Sequence, residues 1–286
     1  MWKIFPILFL LSPASAWWCT GHMLAALLAQ IDLSSNDPKS FQEASKIVSV
    51  LNGVLSHNIS NTFVESACWA DDIKVYNVTY LSNGHFFDQP YNPEGLLLTP
   101  APGANILFSW SNAMLTLSTE TLESAPLETS FSMRFLIHLA GDIHQPLHCT
   151  NLWSSDFPSG DMGGNLFKIQ FNEEIDELHA FWDSGAGYLE KDLQRPLTQE
   201  SWDQLLTIAE DIRTQWPRNS LLKELQDKEP SGWCQESYQD AVNYVYNGIV
   251  QNEKVTQDYT DRSWQVIRKR LALAGYRLSD TISSLY

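Results

Sequence analysis

Histidine and aspartate residues cluster in three short segments of this chain. The segments read HLAGDIHQPLH at 138–148, HAFWD at 179–183 and GHFFD at 84–88. His138 and Asp142 are four residues apart in an apolar helical pattern, so the two side chains share one helix face. His179 and Asp183 repeat this spacing. A proline then ends the first helix and places His148 in the turn that follows it.

These residue types in this pattern indicate metal binding. A single His/Asp pair on a helix is more often a buried hydrogen bond, but two such pairs and a further histidine favour a shared ligand. Zinc is bound in proteins by imidazole nitrogen and carboxylate oxygen in roughly tetrahedral sets. Three histidines and two aspartates exceed what one ion requires, so the sequence predicts several metal ions.

The first 16 residues have the pattern of a secretory signal peptide. A lysine precedes an apolar run at residues 4–11, and the Ala-Ser-Ala triplet at 14–16 provides the small residues of a cleavage site. The run is too short to cross a bilayer, which needs about 20 apolar residues. We therefore expect a secreted or lumenal protein that begins at Trp17 and has no membrane-spanning segment.

Two further features fit an oxidising compartment. The sequons at Asn58 and Asn77 are compatible with glycosylation. The four cysteines are Cys19, Cys68, Cys149 and Cys234; they form an even set without CxxC pairs, so we expect disulfides rather than a thiolate metal site. Of the possible pairings we favour Cys19 with Cys68, which leaves Cys149 with Cys234, because Cys19 and Cys68 each lie beside a candidate ligand cluster.

The elements that position these residues are predicted to be mainly α-helical. Apolar residues recur at helical spacing at 25–31, 41–55, 106–117, 131–140, 202–216, 238–250 and 264–285. Strand-like alternation is confined to about 166–171, so we expect one small β-hairpin near 165–175. No linker, repeat or low-complexity run divides the chain, and we predict a single compact domain over 17–286.

The charge balance limits the substrates. Removal of the leader takes away one lysine and no acid, which leaves 17 basic and 34 acidic residues and a formal net charge of −17. Such a surface repels polyanions, whereas duplex DNA binding rests largely on Lys and Arg, so the charge balance argues against a groove-reading DNA-binding protein. An enzyme acting on phosphate esters needs bound cations that reverse the local field.

Taken in order, the motifs resemble the zinc-dependent class I nucleases, which are fungal single-strand nucleases and plant and protozoan 3'-nucleotidase/nucleases. The motifs are WWCTGH at 17–22, CWADDIK at 68–74, HFFD at 85–88, HLAGDIHQPLH at 138–148, GGN at 163–165 and HAFWD at 179–183. They cover about the first two thirds of the mature chain, and the last third is similar only in being helical. The resemblance implies the helical fold shared by zinc-dependent phospholipase C and single-strand nucleases.

The resemblance implies three Zn²⁺ ions per chain. Signal cleavage would expose the α-amino nitrogen of Trp17, which together with its carbonyl oxygen becomes a ligand. The implied sets are Trp17, His22 and Asp142 for one ion, Asp71, His85, His138 and the shared Asp142 for the second, and His148, His179 and Asp183 for the third. These sets use five of the seven histidines. His57 has no implied metal role, and for His144 we expect a structural hydrogen bond.

The resemblance also implies a mechanism. A hydroxide between the two zincs that share Asp142 attacks phosphorus, and the third zinc stabilises the leaving 3'-oxygen. Asp71 and Lys74 are the implied catalytic residues: Asp71 orients the attacking water and Lys74 steadies the transition-state phosphate. Phe86 would stack on a base while Asp88 and Asn165 hydrogen-bond to it. Gly163 and Gly164 would let the backbone approach the nucleotide.

The implied substrates are single-stranded DNA and RNA, cut to 5'-phosphonucleotides, and 3'-mononucleotides, which lose their phosphate. We favour a monomer without membrane contact. One alternative is a zinc-dependent phospholipase C; Asp183 argues against it, since those enzymes carry glutamate in the corresponding HxxxE. A second alternative is a catalytically silent zinc-binding protein, which predicts a missing ligand, and none is missing.

Overall fold

Helices dominate the part of the chain that the computed structural model describes, which is residues 17–54, 59–76, 79–98, 105–189, 191 and 193–286. The predicted signal peptide at 1–16 and the sequons at Asn58 and Asn77 lie outside these residues. The α-helices are α1 (Cys19–Asn36), α2 (Pro38–Ser49), α3 (Trp69–Asp72), α4 (Ile106–Thr119), α5 (Pro126–Ile143), α6 (Leu178–Asp183), α7 (Gln199–Gln215), α8 (Pro230–Asp240) and α9 (Gln257–Leu285). The prediction of a mainly α-helical fold is confirmed.

Short 3₁₀ turns connect the helices near the ligand motifs. These turns are Glu65–Cys68, Ile73–Tyr76, Thr79–His85 and Pro146–Cys149, with two more at Arg218–Ser220 and Glu224–Gln226. The helix that the apolar spacing at 238–250 predicts ends earlier, at Val245. Helix α8 continues through a π-helical turn at Ala241–Val245, which is capped by Tyr246, and Gly248 beyond it has a φ of +83°.

Helix α5 is the central element of the fold. It begins with Pro126, whose fixed φ suits the first helical turn, and every residue from Arg134 to Asp142 is buried. Because this part of the helix is buried on all sides, its apolar residues do not form one narrow stripe. His138 and Asp142 lie among its leucines and isoleucines. The turns of α5 that carry His138 and Asp142 are therefore held in the interior.

Helices α1 and α9 pack closely because small residues face each other. A Cβ atom on Gly275 would lie 2.4 Å from Leu28 Cβ and 3.1 Å from the carbonyl oxygen of Ala25. Only glycine permits this approach, so the first helix, which carries His22, is fixed against the long last helix. None of the helices in the described ranges has both the length and the hydrophobicity that a bilayer span requires.

The regular sheet consists of two short parallel strands, β1 (Pro90–Tyr91) and β2 (Asn151–Leu152). The pairing brings the segment after His85 beside the segment after His148. Where the sequence predicts a hairpin near 165–175, the chain reverses with one antiparallel bridge between Lys168 and Glu177, and the peptide nitrogen of residue 169 donates to the carbonyl oxygen of residue 176 at 2.9 Å.

Two disulfides fasten these elements near the ligand motifs. Cys19 pairs with Cys68, which ties the start of α1 to the turn before α3, and their Cα atoms are 5.2 Å apart. Cys149 pairs with Cys234, which ties the turn after α5 to α8, with a Cα separation of 5.5 Å. Both separations are ordinary for disulfides, and the pairing is the one favoured from the sequence.

Candidate metal centre and adjoining cleft

Three groups of histidine and aspartate side chains meet around the buried end of α5. Within each group the ligand atoms lie within 4.8 Å of one another. The groups are His22, His138 and Asp142; Asp71, His85 and His138; and His148, His179 and Asp183. The structure thus brings together every histidine and aspartate for which the sequence resemblance implies a metal role. His138 takes part in two of the groups.

Asp142 lies at the centre of these groups. Its Oδ2 is 3.0 Å from Nδ1 of His85 and 3.1 Å from Nε2 of His138. Its Oδ1 is 3.4 Å from Nε2 of His22 and 3.7 Å from Nδ1 of His148. One carboxylate therefore faces four imidazoles with two separate oxygens, which is the arrangement expected of a bridging ligand.

Helical spacing positions the two His/Asp pairs. His138 and Asp142 lie one turn apart on α5, and His179 and Asp183 lie one turn apart on α6, with 3.2 Å between His179 Nε2 and Asp183 Oδ2. The remaining ligands come from short turns and helix starts. His22 lies in the first turn of α1, Asp71 in α3, His85 at the end of the 79–85 turn, and His148 in the 146–149 turn.

Backbone carbonyls fix the orientation of three imidazole rings. The Nδ1 atom of His138 lies 2.6 Å from the carbonyl oxygen of Ala67. That of His148 lies 2.7 Å from the carbonyl oxygen of His85, and that of His179 lies 2.6 Å from the carbonyl oxygen of Gly163. A carbonyl only accepts, so each Nδ1 carries the proton and each Nε2 presents its lone pair to the cluster.

Gly163 is required for one of these carbonyl contacts. Its φ is +62°, and a Cβ atom there would lie 2.7 Å from the carbonyl oxygen of Leu147. Gly164 has a φ of +84° and packs against Leu147 and the backbone of His179. The two glycines let the loop pass close to α6, where the carbonyl oxygen of Gly163 meets His179.

The polar atoms of the cluster fit bound cations. Among the described residues, several buried side-chain atoms of this cluster have no hydrogen-bond partner: both ring nitrogens of His22, Nε2 of His85, Oδ1 of Asp142 and Nε2 of His148. Leaving a buried polar atom unpaired costs about 1–3 kcal/mol, so such a concentration calls for a ligand. Imidazole nitrogen and carboxylate oxygen are the donors that zinc prefers.

The electrostatics of the cluster agree with this fit. Burial lowers the pKa of His22, His85 and His148, so these rings are neutral, as metal ligands must be. Burial also opposes charge on His138, but Asp142 and Asp71 raise its pKa to about 9. The two carboxylates therefore favour positive charge at Nε2 of His138, whether a proton or a metal ion supplies it.

Lys74 forms an ion pair with Asp71 at the edge of the cluster. Its Nζ lies 2.6 Å from Asp71 Oδ1, and the lysine side chain is only 8 % exposed. Burial would raise the pKa of Asp71, but Lys74 and His138 lower it below the ordinary value, so the carboxylate is ionised. The pair follows from the three-residue spacing within CWADDIK, which places both side chains on one helical face.

A cavity of about 530 Å³ opens beside the cluster. Trp17, Asp71, His179 and Asp183 line it, and so does Asn165, whose Nδ2 donates to the carbonyl oxygen of residue 162 at 2.7 Å. The other expected base-binding residues are elsewhere. Phe86, which is half-buried, and Asp88, which is exposed, follow His85 in the chain and are not part of this lining.

A larger cavity of about 670 Å³ lies between α4 and α5. Its lining is mostly apolar and includes Phe108, Leu127 and Phe131, and it contains no residue of the three ligand groups. Volume alone therefore does not identify the reactive site, and the smaller polar cavity is the one that adjoins the ligands.

Sequence reasoning missed several residues near the centre. Gln145 donates from Nε2 to Asp183 Oδ1 at 2.6 Å, and its position inside HLAGDIHQPLH was the available signal. Trp18, Lys191 and Arg195 also line the cavity; Trp18 lies within WWCTGH, whereas no motif marked Lys191 or Arg195. His144 has the structural role expected of it, because its Nδ1 contacts the carbonyl oxygen of residue 140 and its Nε2 contacts residue 277. His57 lies outside the described residues.

The chain is similar to known nucleases over nearly its whole length. The profile of the family described as S1/P1 Nuclease matches residues 17–286. Endonuclease 2 of Arabidopsis thaliana is 23 % identical over 283 residues, which cover 94 % of this chain and 90 % of that protein. Nuclease S1 of Aspergillus oryzae is 26 % identical over 281 residues, covering 92 % and 89 %. Nuclease P1 of Penicillium citrinum is 23 % identical over 287 residues, covering 94 % and 98 %.

Proposed function

Because the chain belongs to the S1/P1 nuclease family and is a hydrolase of phosphodiester bonds, we propose that it is a secreted, three-zinc enzyme for single-stranded DNA and RNA. Its products would be 5'-phosphonucleotides, and it would also remove the phosphate of 3'-mononucleotides. The observation that carries this proposal is the convergence of five histidines and three aspartates into three groups. Every histidine and aspartate of the implied sets belongs to one of these groups.

We assign one zinc ion to each ligand group. His148, His179 and Asp183 would hold the first, and Asp71, His85 and His138 with Asp142 would hold the second. His22 and Asp142 would hold the third together with the terminus of Trp17. The tryptophan side chain supports this assignment, since it is fully buried and its Nε1 donates to the carbonyl oxygen of Gly141 at 2.9 Å. Gly141 is also the neighbour of His22.

Bound zinc supplies a water molecule of lowered pKa and Lewis-acid stabilisation of charge on oxygen. The chain provides the remaining functions. Asp71 keeps its ionised carboxylate at the cavity wall, where its second oxygen can orient water. Lys74 holds its ammonium against that carboxylate and can donate to a phosphate oxygen as negative charge develops. The buried setting strengthens both interactions.

Charge and stacking support the choice of substrate. Three divalent ions bring six positive charges against the three ligand aspartates, so the centre attracts a phosphodiester although the chain as a whole is acidic. Phe86 is half-buried next to the ligand His85, and its ring can stack on any base that is unpaired. Asp88 and Asn165 would supply hydrogen bonds to the base edge. Duplexes, whose bases are already stacked, should be poorer substrates.

The remaining proposals concern the molecule as a whole. Residues 17–286 would form one domain and act as a monomer after removal of residues 1–16. The two disulfides support export, because such bonds persist in oxidising compartments. Glycosylation at Asn58 and Asn77 is part of the same proposal.

A paired assay on one preparation tests the proposal. The mature chain is assayed on single-stranded DNA, 3'-AMP and phosphatidylcholine, and its metal content is measured on the same sample. We expect turnover of both nucleotide substrates, no turnover of the lipid, and loss of activity in Asp183→Asn. The matched control is Asp203→Asn, whose exposed side chain on α7 accepts from Gln199. Lipid turnover without nucleotide turnover would contradict the proposal.

A further inference from the structure

The cavity beside the metal centre extends beyond the ligands. From Trp17 and Asp183 it continues to Trp18, Lys191 and Arg195, and its volume of about 530 Å³ is within the usual range for ligand sites. Of the proposed base-binding residues, Asn165 lines it, whereas Phe86 and Asp88 do not. A nucleic acid strand that is cut at the metal centre extends in both directions from the scissile phosphate. Phe86 would hold a base in one direction, and this cavity is available for the part of the strand that extends in the other.

The cationic side chains of the cavity differ in their partners. Lys168 lies 3.2 Å from Asp176 and 3.4 Å from Glu177, and its charge is thereby compensated. Arg195 makes a bidentate pair with Asp72, with distances of 2.8 and 2.9 Å. Neither side chain has an uncompensated charge to offer a second anion.

Lys191 is held by an aromatic ring instead of a carboxylate. Its Nζ lies 5.7 Å from the centre of the Trp18 indole ring. Within the described part of the chain, no aspartate or glutamate forms an ion pair with it. A cation–π contact orients an ammonium without neutralising its charge, so this ammonium can still bind an anion.

Trp18 is hydrogen-bonded through its backbone to a residue of the proposed metal centre. Its backbone nitrogen donates to the carbonyl oxygen of the ligand Asp183 at 3.2 Å, and the residue precedes α1 directly. The position of the Lys191 ammonium is therefore coupled to the ligands through one indole ring and one backbone hydrogen bond.

We infer that this cavity is a subsite for the polynucleotide strand, in which Lys191, positioned by Trp18, contacts a backbone phosphate adjacent to the one that is cleaved. The inference rests on the proposed function and deepens it. A 3'-mononucleotide has a single phosphate, which the metal centre holds, so Lys191 contributes to binding only when the substrate is an oligomer.

Salt dependence of binding tests this contact. The dissociation constant of an oligothymidylate with phosphorothioate linkages, which resist cleavage, is measured at several salt concentrations with the zinc-loaded protein. Each phosphate contact to a single strand contributes about 0.7 to the slope of log K against log salt. Lys191→Gln should therefore make the slope shallower by about 0.7, while Lys191→Arg should retain it.

Lys46→Gln is the matched control, because this lysine lies on α2 outside the cavity and is 67 % exposed. It makes the same change in net charge and should leave the slope at the wild-type value. In activity assays, Lys191→Gln should also lower the ratio of oligonucleotide to 3'-AMP turnover several-fold.

Two results would overturn the inference. One is a slope for Lys191→Gln equal to that of wild type or of Lys46→Gln; the other is an equal loss of turnover on oligonucleotide and 3'-AMP. Failure of the proposed function is distinguishable, since the wild-type protein would then turn over neither substrate.

Discussion

Gly141 provides a test of the metal centre through a change that removes no ligand. It precedes the central Asp142 on α5 and packs against the first turn of α1. A Cβ atom at this position would lie 2.6 Å from His22 Nδ1, 3.0 Å from His22 Cε1 and 3.5 Å from Trp17 Cδ1. The first distance is shorter than real Cβ contacts and the second is tighter than nearly all of them, so Gly141→Ala should displace the His22 ring.

The magnitude follows from two opposing effects on stability. Alanine is favoured over glycine in a helix by about 1 kcal/mol, whereas overpacking of a buried site costs about 1–3 kcal/mol. The free energy of unfolding of metal-free protein should thus fall by about 0–2 kcal/mol. Displacing a ligand or its support typically costs 10–100-fold in metal affinity, and we expect a loss of that size at the Trp17 and His22 site.

Competition with a chromogenic chelator measures this effect. The wild type should show three tightly bound zinc ions, and Gly141→Ala should show two tight ions and one weak one, because no clash reaches the His148 group. Gly21→Ala is a companion variant; its Cβ would lie 2.9 Å from Trp17 Cβ and should weaken the same ion. Three ions of unchanged affinity in both variants, or selective loss of the ion at His148, would refute the reasoning.

Three further predictions address catalysis, the electrostatics of the fold and maturation. Lys74→Gln should lower kcat about 100-fold with unchanged zinc content, because one donor to the developing charge is lost; a kcat near that of wild type would exclude this role. Burial would raise the pKa of Glu236, but its hydrogen bond with Arg277 lowers it, so the stability it confers is present at neutral pH and is lost as the pH falls. Glu236→Gln should therefore reduce the free energy of unfolding of metal-free protein by about 3 kcal/mol at pH 7. The difference in stability between wild type and variant should shrink below about pH 4. Thermal unfolding at several pH values checks this, and a difference that does not change with pH would contradict it. One extra residue before Trp17 would convert its amine into a peptide nitrogen, and elemental analysis should find one zinc fewer; full zinc content would count against the terminal ligand.

The ligand pairs were predictable from sequence because helical periodicity is local. The four-residue spacing of His138 and Asp142 fixes their relative position on any helix, whatever the rest of the fold does. The mainly α-helical class followed from the same periodicity. The resemblance to a family then predicted that segments far apart in the chain contribute to one site, which residue spacing within a segment cannot predict.

Contacts between distant segments were not predictable in this way. Nothing in the sequence indicates that the carbonyl oxygen of Ala67 orients His138, or that β1 pairs in parallel with β2. Lys191 and Trp18 are far apart in the chain, and neither residue type by itself indicates that the two side chains meet. The segment at 238–250 has helical spacing, yet it is helical only to Val245, and Gly248 just beyond has a positive φ.

Zinc counting on the mature chain tests the central claim most directly. Elemental analysis of protein that begins at Trp17 should find three zinc ions per chain. Asp142→Asn, which alters the carboxylate shared by two of the proposed sites, should retain one ion, at His148, His179 and Asp183. One ion or none in the wild type, or three ions in Asp142→Asn, would contradict the account.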